Sequence, residues 1–237
     1  MVMEIRLYNE KGVKTMVDKA VLERLENDNF TEKEKAVIYE LTKNVNLYTG
    51  ALKELQAWIE ILRTDFKRNK AYNPIEHIKT RVKLPKSILR KVYLKGLPLD
   101  AEVIKEELND LAGLRIICTF KSDIYRLVEI LKKYENIKVL EIKDYVSNPK
   151  PSGYQSYHMI VEIPVYMIDG KHTCKVEIQI RTMAMDFWAC LEHKIKYKYN
   201  ADIPNHIKDD LLNCSQVVST LDDTMYGLHS LVQENNE

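Results

Sequence analysis

The chain has 237 residues, of which 45% are hydrophobic and 30% charged. That composition excludes the disordered and fibrous classes and leaves room for one large domain or two small ones. Lys and Arg number 36 against 35 Asp and Glu, a formal charge of +1. This balance is too even for a protein that coats DNA or a membrane surface, so any anion site must be local.

In chain order, residues 15 to about 70 read as helical. Val21, Leu22 and Leu25 form one apolar stripe, Leu55, Trp58, Ile59 and Leu62 a second, and Asn27-Asp28-Asn29 interrupts between them. From His77 to Leu99 there are seven basic residues (Lys79, Arg81, Lys83, Lys86, Arg90, Lys91, Lys95) and no acidic one. In a neutral chain this makes a local positive field. Leu114 to Phe120 reads as a buried strand and Asp123 to Tyr134 as an amphipathic helix. Lys138 to Val146, Tyr157 to Val165 and Thr173 to Ile180 supply further strands, with Asp169-Gly170 marking a hairpin and Met185 to Tyr197 a closing helix. After Ile203-Pro204, the residues Ile207, Leu211, Cys214, Val218, Leu221, Met225, Leu228 and Val232 recur in steps of four and three. This heptad seam suits packing on the chain's own domain or self-association.

Three constellations carry chemistry. Lys175, Glu177, Gln179 and Arg181 share one face of a strand whose other face is Val176, Ile178 and Ile180. Such a face is either solvent-exposed or lines a polar cleft. Asp110-Leu111-Ala112-Gly113-Leu114-Arg115 places an acid before a buried strand and an arginine inside it. That arginine needs a partner, either a carboxylate at a sheet edge or a base or phosphate. The turn-rich run Asn148 to Gln155 enters a strand in which His158 shares the face opposite Tyr157, Met159, Val161 and Ile163, where it can meet the Glu177 strand. There is no GxxxxGK[ST] and no GxGxxG, so phosphate binding must come from side chains. Cys118, Cys174, Cys190 and Cys214 form no CxxC pair and read as reduced thiols. No apolar run approaches the roughly 20 residues of a membrane helix. A cytoplasmic location is expected.

The motifs Asp110 to Arg115, Ser152-Gly153-Tyr154-Gln155-Ser156-Tyr157-His158, Glu177-Ile178-Gln179-Ile180-Arg181-Thr182 and Glu192-His193 resemble, in order and spacing, the synthetase domain of the RelA/SpoT family. No His-Asp dipeptide of the family's hydrolase domain occurs, so the chain looks like a stand-alone small alarmone synthetase. The resemblance implies an α+β fold, a mixed sheet of about five strands flanked by helices and similar to nucleotidyltransferases, with helical extensions at both ends. It divides the chain into an N-terminal helical region over 1–72, a catalytic domain over 73–200 and a C-terminal helix over 201–237.

The same resemblance implies transfer of the β,γ-pyrophosphate of ATP to the 3′-hydroxyl of GDP or GTP, giving ppGpp or pppGpp and AMP. Asp110 and Glu177 would hold Mg²⁺, and Glu177 would accept the proton of the attacking hydroxyl. Arg81 and Arg115 would sandwich adenine, while Lys83 and Lys91 would neutralise the triphosphate. The family often carries further Arg where this chain has Tyr93-Leu94, and Arg90 or Lys95 would substitute. Tyr154 would stack on guanine, Lys143 and Lys150 would meet the acceptor phosphates, and His158, Gln179 and Glu192 would position the guanosine. Family habit adds a homotetramer built through terminal helices, with product or single-stranded RNA at its centre. Two rival readings are a catalytically inactive module that binds guanosine phosphates or RNA, and a nucleotidyltransferase acting on another acceptor.

Overall fold

The computed structural model describes residues 4–8, 14–69, 72–198 and 203–234. Its centre is a five-stranded mixed sheet in the order β3-β4-β7-β6-β5, where β3 is Ile75–Val82, β4 Ala112–Cys118, β5 Lys138–Asp144, β6 Tyr157–Met167 and β7 Gly170–Thr182. Only β4 and β7 run parallel; the other neighbours are antiparallel. The expected four strands are all present. The fifth, β3, lies inside the basic segment, where charged side chains break the apolar alternation that announces a strand.

One face of the sheet is apolar. Leu114, Ile116, Val176, Ile178, Ile180, Met159, Val161 and Ile163 are all buried in one continuous core. Helices α3 (Val45–Arg68) and α6 (Lys121–Lys132) cover it, contributing Ala51, Leu52, Leu55 and Ile59, and Ile124, Leu127, Val128 and Leu131. The other face carries α7 (Met183–Lys198), while α4 (Pro85–Lys95) adds Ile88 and Val92 to the same core and borders the cleft, with α5 (Ala101–Glu107) between α4 and β4 in the chain. Gly96, at φ 64°, ends α4 in the left-handed conformation that a residue with a Cβ resists. The β6–β7 hairpin closes where expected, with Met167 paired to Gly170 at φ 128°.

The N-terminal region differs from the expectation of helix from Thr15. Residues Lys14–Asp18 form strand β2, paired antiparallel with β1 (Glu4–Tyr8), because Thr15 and Val17 supply β-branched alternation. Helix follows as three pieces, α1 (Lys19–Glu26), α2 (Glu32–Thr42) and α3. The Asn27-Asp28-Asn29 break falls between α1 and α2, and Asp28 takes φ 53°. At the other end α8 spans Asn205–Glu234. It packs on the domain through buried Ser215 and Asp222 and through His229, whose ring lies tilted against those of Phe120 and Tyr72. The heptad seam is split: Ile207, Leu211 and Val218 are half-buried toward the domain, while Leu221, Met225, Leu228 and Val232 are exposed. Among the described residues no helix is long and apolar enough to cross a membrane.

Candidate active site

Strand register alone assembles the polar face. Lys79 of β3 pairs with Arg115 of β4, Arg115 with Gln179 of β7, Gln179 with His158 of β6, and His158 with Lys143 of β5. One row of polar side chains therefore crosses all five strands. In a neighbouring row, Arg81 pairs with Gly113 and Gly113 with Glu177. Because Gly113 has no side chain, the Arg81 side chain lies close over it, its Cγ and Nε 3.6 and 3.7 Å from where a Cβ would stand. A cleft of about 1020 Å³ lies over this face, lined by Arg81, Lys83, Lys91, Arg115, Tyr154, Gln179 and Glu192 among others.

The two carboxylates, Asp110 buried and Glu177 half-buried, are held by different partners. Asp110 Oδ2 accepts from Lys83 Nζ at 2.6 Å and pairs with Lys91 Nζ at 3.0 Å. Burial opposes charge on Asp110, but the two ammonium groups outweigh it and hold the carboxyl down at about 2. Glu177 Oε2 accepts from the Gln179 amide at 2.7 Å, and Oε1 lies 3.3 Å from His158 Nδ1. Burial opposes charge here too, and the charge of Asp110 adds to that opposition. His158 and Gln179 prevail and keep Glu177 below its ordinary value. Both groups are therefore ionised at neutral pH.

Donor accounting fixes the polarity beside Glu177. Arg181, 4% exposed, donates from Nη2 to the Tyr154 hydroxyl at 2.6 Å. A guanidinium can only donate, which leaves the single Tyr154 proton available to His158 Nε2, 2.8 Å away. His158 then keeps its proton on Nδ1, facing Glu177. Arg181 also donates to Asp186 at 3.0 Å, and Asp186 accepts from Arg115 at 2.9 Å. Tyr154 and Arg115, on opposite sides of the cleft, thus hang from one buried ion cluster.

Tyr154 is presented by a loop that only glycine permits. Gly153 sits at φ 86°, and a Cβ there would come within 2.6 Å of Ser215 Cβ on α8. Lys150 places its Nζ 4.6 Å above the Tyr145 ring and 5.5 Å from that of Tyr154. Lys143 lies at the β5 end of the polar row, 3.3 Å from Glu141, and neither it nor Lys150 lines the cleft. Glu192 is buried on α7 and also lines a second cavity of about 570 Å³ with Ser152 and His193. Sequence reasoning gave Arg181 no role, although its alternation with Glu177 and Gln179 placed it on the polar face. Asp186 was missed outright, since one acid in an amphipathic helix carries no signal.

For a metal, the described residues contain no cluster of three or more His, Cys, Asp or Glu. Asp110 Oδ1, however, is buried without a hydrogen-bond partner among them. A carboxylate with one such oxygen fits a hard divalent cation that keeps its waters and shares substrate phosphates, the habit of Mg²⁺.

A mixed sheet with a polar face, paired carboxylates and a cation-lined cleft, lacking any glycine-rich phosphate loop, defines a nucleotidyltransferase-like fold. The comparisons narrow the class. Residues 80–202 match the family described as a region found in RelA/SpoT proteins. GTP pyrophosphokinase YwaC of Bacillus subtilis (strain 168) is 42% identical over 194 residues, covering 82% of this chain and 92% of that protein. GTP pyrophosphokinase YjbM of the same organism is 40% identical over 187 residues, 79% of this chain and 87% of that protein. Small alarmone synthetase 1 of Bacillus subtilis, solved bound to its product pppGpp, superposes with a TM-score of 0.75 at 39% identity, covering 78% of this chain and 94% of that one. The chain belongs to the RelA/SpoT family.

Proposed function

We infer that this chain is a GTP pyrophosphokinase that makes (p)ppGpp, moving the β,γ-pyrophosphate of ATP to the 3′-hydroxyl of GDP or GTP and releasing AMP. The observation that carries the reading is the register-built row Arg115, Gln179, His158 beside Glu177, facing Asp110 with its two lysines. Family membership and the likeness to pyrophosphokinases support it.

In this reading Arg81 and Arg115 grip adenine, and Lys83 and Lys91 neutralise the triphosphate. Asp110 and Glu177 hold Mg²⁺, which when bound supplies charge neutralisation to the transferring phosphates. Glu177 is ionised and supported by the Nδ1–H of His158, so it can accept the proton of the 3′-hydroxyl. Tyr154 stacks on guanine, Gln179 and Glu192 position the guanosine, and Lys143 and Lys150 meet the acceptor phosphates. Positioning and electrostatics supply most of the rate.

The division at 1–72, 73–200 and 201–237, a cytoplasmic location and a homotetramer through α8 belong to the same proposal. The exposed seam of α8 supports the last. A single-stranded RNA partner rests on the resemblance alone. The test is incubation with Mg²⁺, ATP and GDP or GTP, with nucleotides resolved by anion exchange. ppGpp or pppGpp appearing with equal AMP, and absent with Glu177→Gln, supports the reading. A folded protein that binds GTP and yields neither product contradicts it.

A further inference from the structure

The most fully paired carboxylate in the described residues lies outside the cleft. Glu34 of α2 is 0% exposed and collects five donors. Arg24 of α1 grips it in a fork, Nη1 to Oε2 at 2.6 Å and Nη2 to Oε1 at 2.7 Å. The Thr31 amide and hydroxyl donate to Oε2 at 2.6 and 2.9 Å, and the Tyr93 hydroxyl donates to Oε1 at 2.7 Å. A capping box at the start of α2 accounts for Thr31 alone. It requires neither Arg24 nor a tyrosine 59 residues further along the chain.

Tyr93 belongs to α4, the helix that brings Lys86, Arg90 and Lys91 to the cleft. Its core side is Ile88, Leu89 and Val92. At 100° per residue, Tyr93 falls between that apolar side and the cationic side. Apolar packing tolerates small rotations about a helix axis, whereas a hydroxyl 2.7 Å from an immobile carboxylate does not.

We propose that Tyr93 is a positioning residue. Its bond to buried Glu34 fixes the rotation of α4 and hence the reach of Lys91 and Arg90 over the donor phosphates, making the N-terminal helices part of the ATP site. This rests on the reading of the cleft as the ATP site. Lys91 and Arg90 would meet the triphosphate before and during transfer, so a loosened helix weakens ATP binding more than chemistry.

The test compares wild type, Tyr93→Phe and Thr31→Ala in steady-state synthesis, with ATP and GDP varied in turn and Tm measured for each. Tyr93→Phe keeps the ring and is expected to raise KM for ATP about fivefold, leaving KM for GDP and kcat within about twofold. Thr31→Ala, which weakens the cap and removes one of the five donors to Glu34 but leaves Arg24 and Tyr93 in place, is expected to lower Tm with KM for ATP unchanged. An active wild type whose ATP KM is matched by Tyr93→Phe overturns this inference alone. So does a Thr31→Ala enzyme whose ATP KM rises as much, since general loosening would then suffice. A wild type that makes no product overturns the functional reading and this inference with it.

Discussion

Asp110 and Glu177 behave differently although both carboxyls are largely withdrawn from solvent, because their partners differ. Asp110 is neutralised by two lysines, while Glu177 meets the His158 ring and the Gln179 amide, which leaves it the better proton acceptor. Glu177→Gln preserves shape and the Gln179 neighbour. Its kcat is expected to fall at least about a hundredfold with Tm near that of wild type, read by product formation and thermal melting. Acid sensitivity follows from the depressed groups. Glu34 is held at about 2 against an ordinary 4.5, its Arg24 partner outweighing burial, and Asp110 at about 2 against 3.8. A carboxyl with a lowered folded-state pKa stabilises the fold above its ordinary value and loses that contribution as pH falls. Tm is therefore expected to be flat near neutrality and to drop as pH passes from about 4.5 toward 2, less steeply in Glu34→Gln. At this scale Glu177, Gln179 and His158 were legible because strand alternation is local. Asp186 was not, because only packing of α7 on the sheet brings it to Arg115 and Arg181.

Among the elements, the β4–β7 pair governs the site, since its register alone sets Arg115 beside Gln179 and Gly113 beside Glu177. These strands read clearly from their apolar faces. β3 did not, because its outward residues include the cations Lys79 and Arg81, and a register shift between Ile75 and His77 further blurs its alternation. The loop before β6 depends on Gly153. Gly153→Ala would force a positive φ and a clash with Ser215, so KM for GDP is expected to rise several-fold while KM for ATP changes little, read by varying each nucleotide. In α3, Leu55 is 1% exposed against the sheet. Leu55→Ala is expected to cost about 3 kcal/mol in chemical denaturation, with activity per folded molecule retained.

Across the whole molecule, the heptad pattern of α8 could not say which way its seam faced. The domain takes the adjacent polar stripe, where Thr182 donates to buried Asp222 at 2.6 Å, and a single chain leaves the C-terminal half of the apolar seam, Leu221 to Val232, exposed. Polar burial of this kind has no sequence signature, since it depends on a hydroxyl 40 residues away. If the seam mates with other copies, Leu221→Lys should lower the mass seen by size exclusion with light scattering without lowering the helical signal by circular dichroism. An unchanged mass would place the assembly elsewhere.

The central claim is that the cleft transfers two phosphates as a unit. The most direct measurement is synthesis with ATP labelled in turn at the α, β and γ phosphates. The account predicts that β and γ labels both appear in ppGpp or pppGpp while the α label stays in AMP. Product carrying the γ label alone, with ADP left behind, would contradict it.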